Sequence, residues 1–485
     1  PYGTYEVVES ATNESMLLTW TGETVTVRQQ GHSVAITAVD EVERGGLSVE
    51  KQDTITGSTP QGDANFEGIT FEIINNSRNP VMVEGQKYQP GEVVKTLVTD
   101  SEGKASTADD LLPYGEYILH ESATNESMLL TAPDQTVLVE DDGIIYEFVM
   151  ADEVVRGGVL IEKRDLESGL LTPLGGASLD GTLFEITNKS INAVYVNGAL
   201  YEPGEVCATI EVVDGIAQTD VRALPYGTYQ MVESKPGEGY LHTDQIVRSF
   251  QIRKDGEIIE FRDGDAAYNQ VVRGDLQFVK VGEGGEANMG RFANVAFKLT
   301  SETTGETHIV VTDENGEVRT VSDWNPHSQN TNGNDGVEDE SAWDDHNGTW
   351  FGLTTEGWMV DVQDELCALP FDTYTLEELR CEGNQGYELV KVSGITISRN
   401  NTVIELGTLD DQFEGVPEIG TTATVDGQHT AEPAGEVTIV DVVVYKNLKV
   451  GQTYKLSGIL MDKSAGEPLL VGKGEEQSQV TAEVE

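Results

Sequence analysis

The sequence predicts an all-β protein built from tandem β-sandwich domains. Three observations carry this: a ten-residue segment that returns at constant spacing, short runs of alternating apolar and polar residues, and turn residues bounding those runs. The chain opens on PYGTYEVVES. The stretch returns as PYGEYILHES at 113–122 and PYGTYQMVES at 225–234, which sets Glu9, Glu121 and Glu233 at a constant step of 112 residues. That period is too long for a solenoid repeat and suits whole domains. Runs such as LSVEK, ITFEII, YEVVE and IIYEFVM alternate in hydropathy between Gly, Pro, Asn and Asp turns, the signature of half-buried strands. No segment sustains a capped helical period. Several short strands per unit of about 110 residues point to two antiparallel sheets packed face to face.

The repeat extends beyond the glutamate segment. GGLSVEKQDTITG (45–57) returns as GGVLIEKRDLESG (157–169) and more loosely as GDLQFVKVGEGG (274–285). YQPGEVVKTLVTDSEG (88–103) returns as YEPGEVCATIEVVDG (201–215), and AVDEVERGG (38–46) as MADEVVRGG (150–158) and AYNQVVRGD (267–275). These matches divide the chain into a C-terminal half unit at 1–44, whole units at 45–156, 157–273 and 274–413, and a different unit at 414–485. The links VERGG and VVRGD are short, so the domains are expected end to end as an extended rod. The unit 274–413 carries an insertion, roughly 322–360, that holds four of the five tryptophans, Trp324, Trp343, Trp350 and Trp358.

Composition narrows the function. Lys and Arg number 30 against 85 Asp and Glu, a net charge of −55. Such a chain repels phosphate backbones, so nucleic-acid binding is excluded. High negative charge keeps an extended multidomain protein soluble, and 38% hydrophobic residues suffice for cores. The three cysteines, Cys207, Cys367 and Cys381, rule out a disulfide scaffold. Neither they nor the seven histidines show metal-ligand spacing, so no metal or cofactor is expected. No apolar run reaches the 18 or so residues that span a bilayer. The first residue falls inside a repeat and the last in a strand-like stretch, as in a piece of a longer chain.

The chemistry lies in three residue types that recur in each unit. A lysine closes the first strand at Lys51, Lys163 and Lys280. A glutamate stands four residues after a tyrosine at Glu9, Glu121, Glu233 and Glu378. A carboxyl or carboxamide comes near the end at Asp152, Asn269 and Asp410, with the register between Asp410 and Asp411 left open. In LSVEK, Leu47, Val49 and Lys51 share one face, and in VLIEK so do Val159, Ile161 and Lys163. A lysine on the core face is costly unless partnered or neutral. One reading is a buried Lys–carboxylate ion pair. The other is an isopeptide bond. Burial would lower the lysine pKa and free its amine, and raise the glutamate pKa so that it bonds the attacked carbonyl and relays protons. The fold would supply the effective concentration.

The motifs IEKRD, LPYGTYQMVESKPGEGY and GGASLDGTLFEI resemble those of the Cna-B/SpaA-type prealbumin-like domains of Gram-positive surface adhesins and pilins, over about 1–413. The resemblance implies immunoglobulin-like sandwiches and Lys–Asn/Asp isopeptide bonds assisted by Glu. The family's acceptor is usually Asn; here Asp40 and Asp152 hold that place, and Asn269 fits directly, with Asp263 and Asp265 as neighbours in an ambiguous register. ALPFDTYTLEELRCEGNQGYELV resembles the domain preceding the repeats of VaFE-repeat surface proteins. EIGTTATVDGQH with VTIVDVVVYKNLKVGQTYKLSGILMDK resembles the start of a domain crosslinked by a Thr–Gln ester, with Thr421 or Thr422 as the nucleophile and Asp441 as the assisting acid. The implied protein is an extracellular stalk on the bacterial cell wall, held to peptidoglycan by an anchor further along the chain. It is no enzyme beyond a single-turnover crosslinking of itself.

An alternative function is adhesion to host matrix or glycan through the tryptophan-rich insertion, whose rings otherwise pack together to hold a long loop. A calcium loop does not fit it, since Asp335 and Ser341 stand where Gly and Glu are required. Asp344 and Asp345 as a hydrolase pair read as a solvated loop. Arg273–Asp275 spells RGD but lies at a domain junction. Cys367 and Cys381 flank a strand, as a pair or as separate thiols.

Overall fold

The computed structural model describes residues 1–242, 247–282, 290–338, 340–413, 415, 418–430, 437–448, 453–471, 478–479 and 481–484. Among these the helices are single 3-10 turns at Asp263–Asp265, Glu340–Ala342 and Glu382–Asn384, and strands supply the rest of the regular structure. No helix among the described residues is long and apolar enough to cross a membrane.

One plan is built three times. In the first sandwich the opening strand Arg44–Asp53 is paired antiparallel by Lys104–Ser106 and Leu112–Pro113, and parallel by the closing strand Ile145–Asp152. The facing sheet runs Gln135–Val139, Gly115–Ala123, Thr70–Asn75, Val93–Val98, all antiparallel. The second sandwich opens on Arg156–Asp165 and closes on two pieces, Ile258–Phe261 and Ala267–Asn269, both parallel to it. The third opens on Arg273–Val281 and closes on Thr402–Asp410, again in parallel. The expectation of purely antiparallel sheets is therefore corrected. First and last strands lie side by side in the same direction, which puts the final residues of the two strands within side-chain reach.

Alternation places the core. Along the opening strand Leu47, Val49, Lys51 and Asp53 turn inward, and along Gly115–Ala123 so do Tyr117, Leu119 and Glu121. Two charged residues thus continue two apolar stripes from facing sheets. The recurring Pro-aromatic segment anchors the second stripe. Tyr117, Tyr229 and Tyr374 each donate their hydroxyl to the carbonyl of the proline four residues earlier, Pro113, Pro225 and Pro370, at 2.8 Å. The buried phenol is satisfied, and its strand is locked where it enters the sheet.

The Arg-Gly links also repeat as structure. The residue before each arginine accepts a 2.7 Å bond from the backbone of Tyr114, Tyr226 or Phe371. The arginine caps loop carbonyls: Arg44 those of Leu111 and Met82, Arg156 those of Ala223 and Tyr195, Arg273 those of Ala368 and Phe351. A Cβ on the following Gly45, Gly157 or Gly274 would lie 2.7–2.8 Å from a carbonyl oxygen beside the closing strand, so glycine is required for the close approach. The RGD triplet is such a link: Arg273 and Asp275 are 1% and 3% exposed, and Asp275 accepts from Thr320 and the Ala368 amide.

Candidate functional site: buried lysines between first and last strands

In the first sandwich Lys51 Nζ lies 2.6 Å from Glu121 Oε2 and 2.7 Å from Asp152 Oδ2, with all three side chains fully buried. Lys51 pairs across the parallel ladder with Met150, so the acceptor stands two residues further on and on the same face. Burial, with Asp152 alongside, outweighs the pull of Lys51 and pushes the Glu121 carboxyl up to about 7. Burial pushes Asp152 the same way, but hydrogen bonds from Lys51, Glu121 and the Thr131 amide hold it below its ordinary value. The trio is a carboxyl group whose affinity for its proton burial has raised, beside an ion pair, with Nζ in contact with the carboxyl it would attack.

The second sandwich repeats the offset. Lys163 pairs with Ala267, and Asn269 follows two residues on. Lys163 makes no ion pair among the described residues; its Nζ sits 5.6 Å from the Tyr240 ring and 3.4 Å from the Arg164 carbonyl. Burial brings its pKa down to about 8. Burial also raises Glu233, whose Oε1 accepts from Asn269 Nδ2 at 2.6 Å. Asp263 and Asp265, the register alternatives, lie exposed on the 3-10 turn that interrupts the closing strand.

The third sandwich corrects one residue: Asp411, the alternative register, holds the place given to Asp410. Lys280 is in contact with Asp411 and 3.5 Å from Glu378 Oε2, all fully buried. Asp410 is exposed. The ladder slips between Gln277, opposite Glu405, and Val279, opposite Thr408, so the closing strand carries one extra residue. Such a bulge exchanges the inward and outward faces beyond it. Burial and Glu378 together lift the Asp411 carboxyl to about 7 against the pull of Lys280.

The half unit at the start shows the same geometry without a lysine among the described residues. Glu9 hydrogen-bonds Asp40, and partial burial and that neighbour raise its pKa. Asp40 Oδ1 accepts from the amides of Thr19 and Trp20 at 3.1 and 2.9 Å. Further on, Glu418–Val425 pairs antiparallel with Ile439–Lys446, setting Thr421 opposite Val443 and Ala423 opposite Asp441. Thr421 and Asp441 thus share a face while Thr422 points to the other; all three are exposed.

The insertion packs more than it presents. Trp350 is buried, stacked 3.8 Å under the Arg273 guanidinium, in a cluster with Leu174, Ala177, Leu179, Tyr240, Val271 and Val360 that joins the second and third sandwiches. Arg273 also holds the buried Glu167 of the preceding unit at 2.8 Å. Trp358 is exposed. Asp344 and Asp345 both pair with His346 on an exposed loop. The three cysteines are free thiols, so Cys367 and Cys381 do not pair. What sequence reasoning missed is the set of backbone donors on the acceptors, which leaves no side-chain signature.

Comparison with known proteins follows the same division. Residues 47–154 match the family model of the SpaA prealbumin-like fold domain, and residues 417–485 that of the T-Q ester bond containing domain. None of the curated proteins compared matches the chain. Similar solved structures include the Bacillus anthracis TIE protein, 19% identical over 80% of this chain and 55% of that one, TM-score 0.46. Others are the Bacillus cereus major pilin subunit BcpA, 12% identical over 76% and 100%, TM-score 0.25, and a Streptococcal ancillary pilin, 20% identical over 56% and 76%, TM-score 0.20. The chain therefore carries a SpaA-type prealbumin-like domain at 47–154 and a T-Q ester bond-containing domain at 417–485, within an array of β-sandwiches.

Proposed function

We propose that the chain is a stalk segment of a Gram-positive surface adhesin or pilus-like protein, braced by isopeptide bonds that its own sandwiches form. The observation that carries this is Lys51 Nζ in contact with both Glu121 and Asp152 in a site without solvent. In the reaction a proton passes from the Lys51 ammonium to Asp152 Oδ2. The free amine attacks Cγ, and Glu121 protonates Oδ2 while taking a proton from the nitrogen. The Cγ–Oδ2 bond breaks, and an amide and one water result. At Asn269 the Cγ–Nδ2 bond breaks instead and ammonia leaves.

The consequence is mechanical. Lys51 and Asp152 lie 101 residues apart on the first and last strands, so a bond between them closes nearly the whole domain. In the chain-entropy model a loop of that size adds about 4–5 kcal/mol. Load entering at Arg44 and leaving at Val155 would pass through the crosslink rather than unravel the sheets. The network Arg273–Glu167–Trp350 supports the same reading, because it fastens successive units instead of freeing them. Of the two candidates Thr421 and Thr422, the proposed ester nucleophile of the last unit is Thr421, because it shares a face with Asp441, the proposed assisting acid.

Intact-mass spectrometry of the purified chain tests this. Bonds at Asp152 and Asp411 remove about 18 Da each and one at Asn269 about 17 Da. A mass equal to the sum of the residues would overturn the crosslinked stalk and leave buried ion pairs.

A further inference from the structure

Resting on that crosslinking reading, we propose that the backbone amides of Thr131 and Ala132 form an anion-stabilising pocket for bond formation at Asp152. The two carboxyl oxygens are given different surroundings. Oδ2 faces the Lys51 amine at 2.7 Å, and Glu121 hydrogen-bonds the same carboxyl group. Oδ1 accepts from Thr131 N at 2.8 Å, Ala132 N at 2.7 Å and Thr131 Oγ1 at 3.0 Å. When Nζ attacks Cγ, charge shared by both oxygens gathers on the one that stays. Donors at that oxygen strengthen toward the transition state, which is the condition for rate enhancement. The oxygen facing the Lys51 amine, left without amide donors, is then the one that departs as water.

The chain aims these amides deliberately. Residues 128–131 run against the end of the closing strand: Met128 bridges Val154, Leu129 N donates to the Glu153 carbonyl, and Glu153 N donates to Thr131 Oγ1. Pro133 follows, and the strand Gln135–Val139 begins only beyond it, so the two N–H groups belong to no ladder. The half unit repeats the device 112 residues earlier. LLTW replaces LLTA, Thr19 and Trp20 donate to Asp40 Oδ1, and Glu41 N donates to Thr19 Oγ1.

The third sandwich shows that the topology alone does not produce it. There Glu388 N bonds the Gln412 carbonyl as Leu129 N bonds Glu153, yet the next amide in the pattern, Val390 N, donates to Glu378 Oε2. Asp411 meets the Lys280 ammonium, but neither of its oxygens accepts from a backbone amide among the described residues. The corresponding residue of the second sandwich, Thr243, lies outside the described residues.

The test uses the whole chain, synthesised in a cell-free pulse, quenched at intervals and digested. Crosslinked peptides are counted at Lys51–Asp152, with Lys163–Asn269 of the same molecules as an internal clock. Ala132→Pro, which deletes one donor, is expected to slow the first bond about 10²–10³-fold and leave the second unchanged. Thr131→Val, which keeps both amides and removes the hydroxyl, is expected to slow it less. Melting of Lys51→Met with and without Ala132→Pro shows whether the fold tolerates proline; if it does not, an ester in place of the Ala132 amide (lactic acid for Ala132), which removes the same N–H without a ring, decides by the same slowing. Ala132→Pro crosslinking at the parent rate, or slowing both bonds equally, would sink the proposal. A parent chain that forms Lys163–Asn269 but never Lys51–Asp152 refutes crosslinking at this site and the pocket with it, whereas the variant effects refute only the pocket.

Discussion

Lys280 meets Asp411, the first residue beyond its closing strand, while Asp410 at the end of that strand points to solvent. One extra residue in the ladder near Gly407 makes the difference. Peptide mapping of two variants checks it. Asp410→Ala should retain the Lys280 crosslink. Asp411→Ala should lose it and leave Lys280 buried beside Glu378 alone.

Lys163 provides a pH signature. Its folded pKa, brought by burial to about 8, lies below the ordinary lysine value of 10.5, so the folded state binds fewer protons between those values. Stability should therefore rise with pH from about 8 to 10.5 and lie flat below 8. The effect needs an uncrosslinked unit. Urea midpoints of Asn269→Ala against Asn269→Ala with Lys163→Met, from pH 7 to 10.5, isolate it. A midpoint difference that does not change with pH would show that burial leaves the Lys163 pKa at its ordinary value.

Arg273 and Glu167 are both buried and joined across the second and third units. Removing one partner of such a pair strands the other charge, at a cost of about 3–5 kcal/mol. Arg273→Ala should show that loss in urea unfolding, and Arg273→Lys part of it, because the stack on Trp350 and the fork to Glu167 need a planar guanidinium. The folded chain should also show no affinity for RGD-reading receptors, measurable by surface binding.

The four insertion tryptophans should separate sharply on truncation. Trp350→Ala opens a cavity between two sandwiches and should cost about 3–5 kcal/mol. Trp358→Ala changes an exposed ring and should stay within about 0.5 kcal/mol. Denaturant unfolding distinguishes them. A large loss at Trp358 would place it in a contact that the fold does not show.

Much of the site was legible because it is local. Lys51 continues Leu47 and Val49, and Glu121 continues Tyr117 and Leu119, by alternation within single strands. Asp152 and Asn269 were reachable too, since the repeat carries them at matching places. The choice between Asp410 and Asp411 was not. It depends on a bulge, and a bulge is a property of two strands paired, not of either alone. The parallel closing strand was hidden for the same reason.

By itself the sequence determined the all-β class, the 112-residue period and which lysines and glutamates face inward, because strand alternation and turn chemistry act over a few residues. Only the tertiary structure decided which acid each lysine touches, that Arg273 and Trp350 fasten two units, and that Thr131 and Ala132 turn their amides on Asp152. Those facts depend on register and on backbone direction between segments far apart in the chain, where residue identity carries no information until the strands have paired.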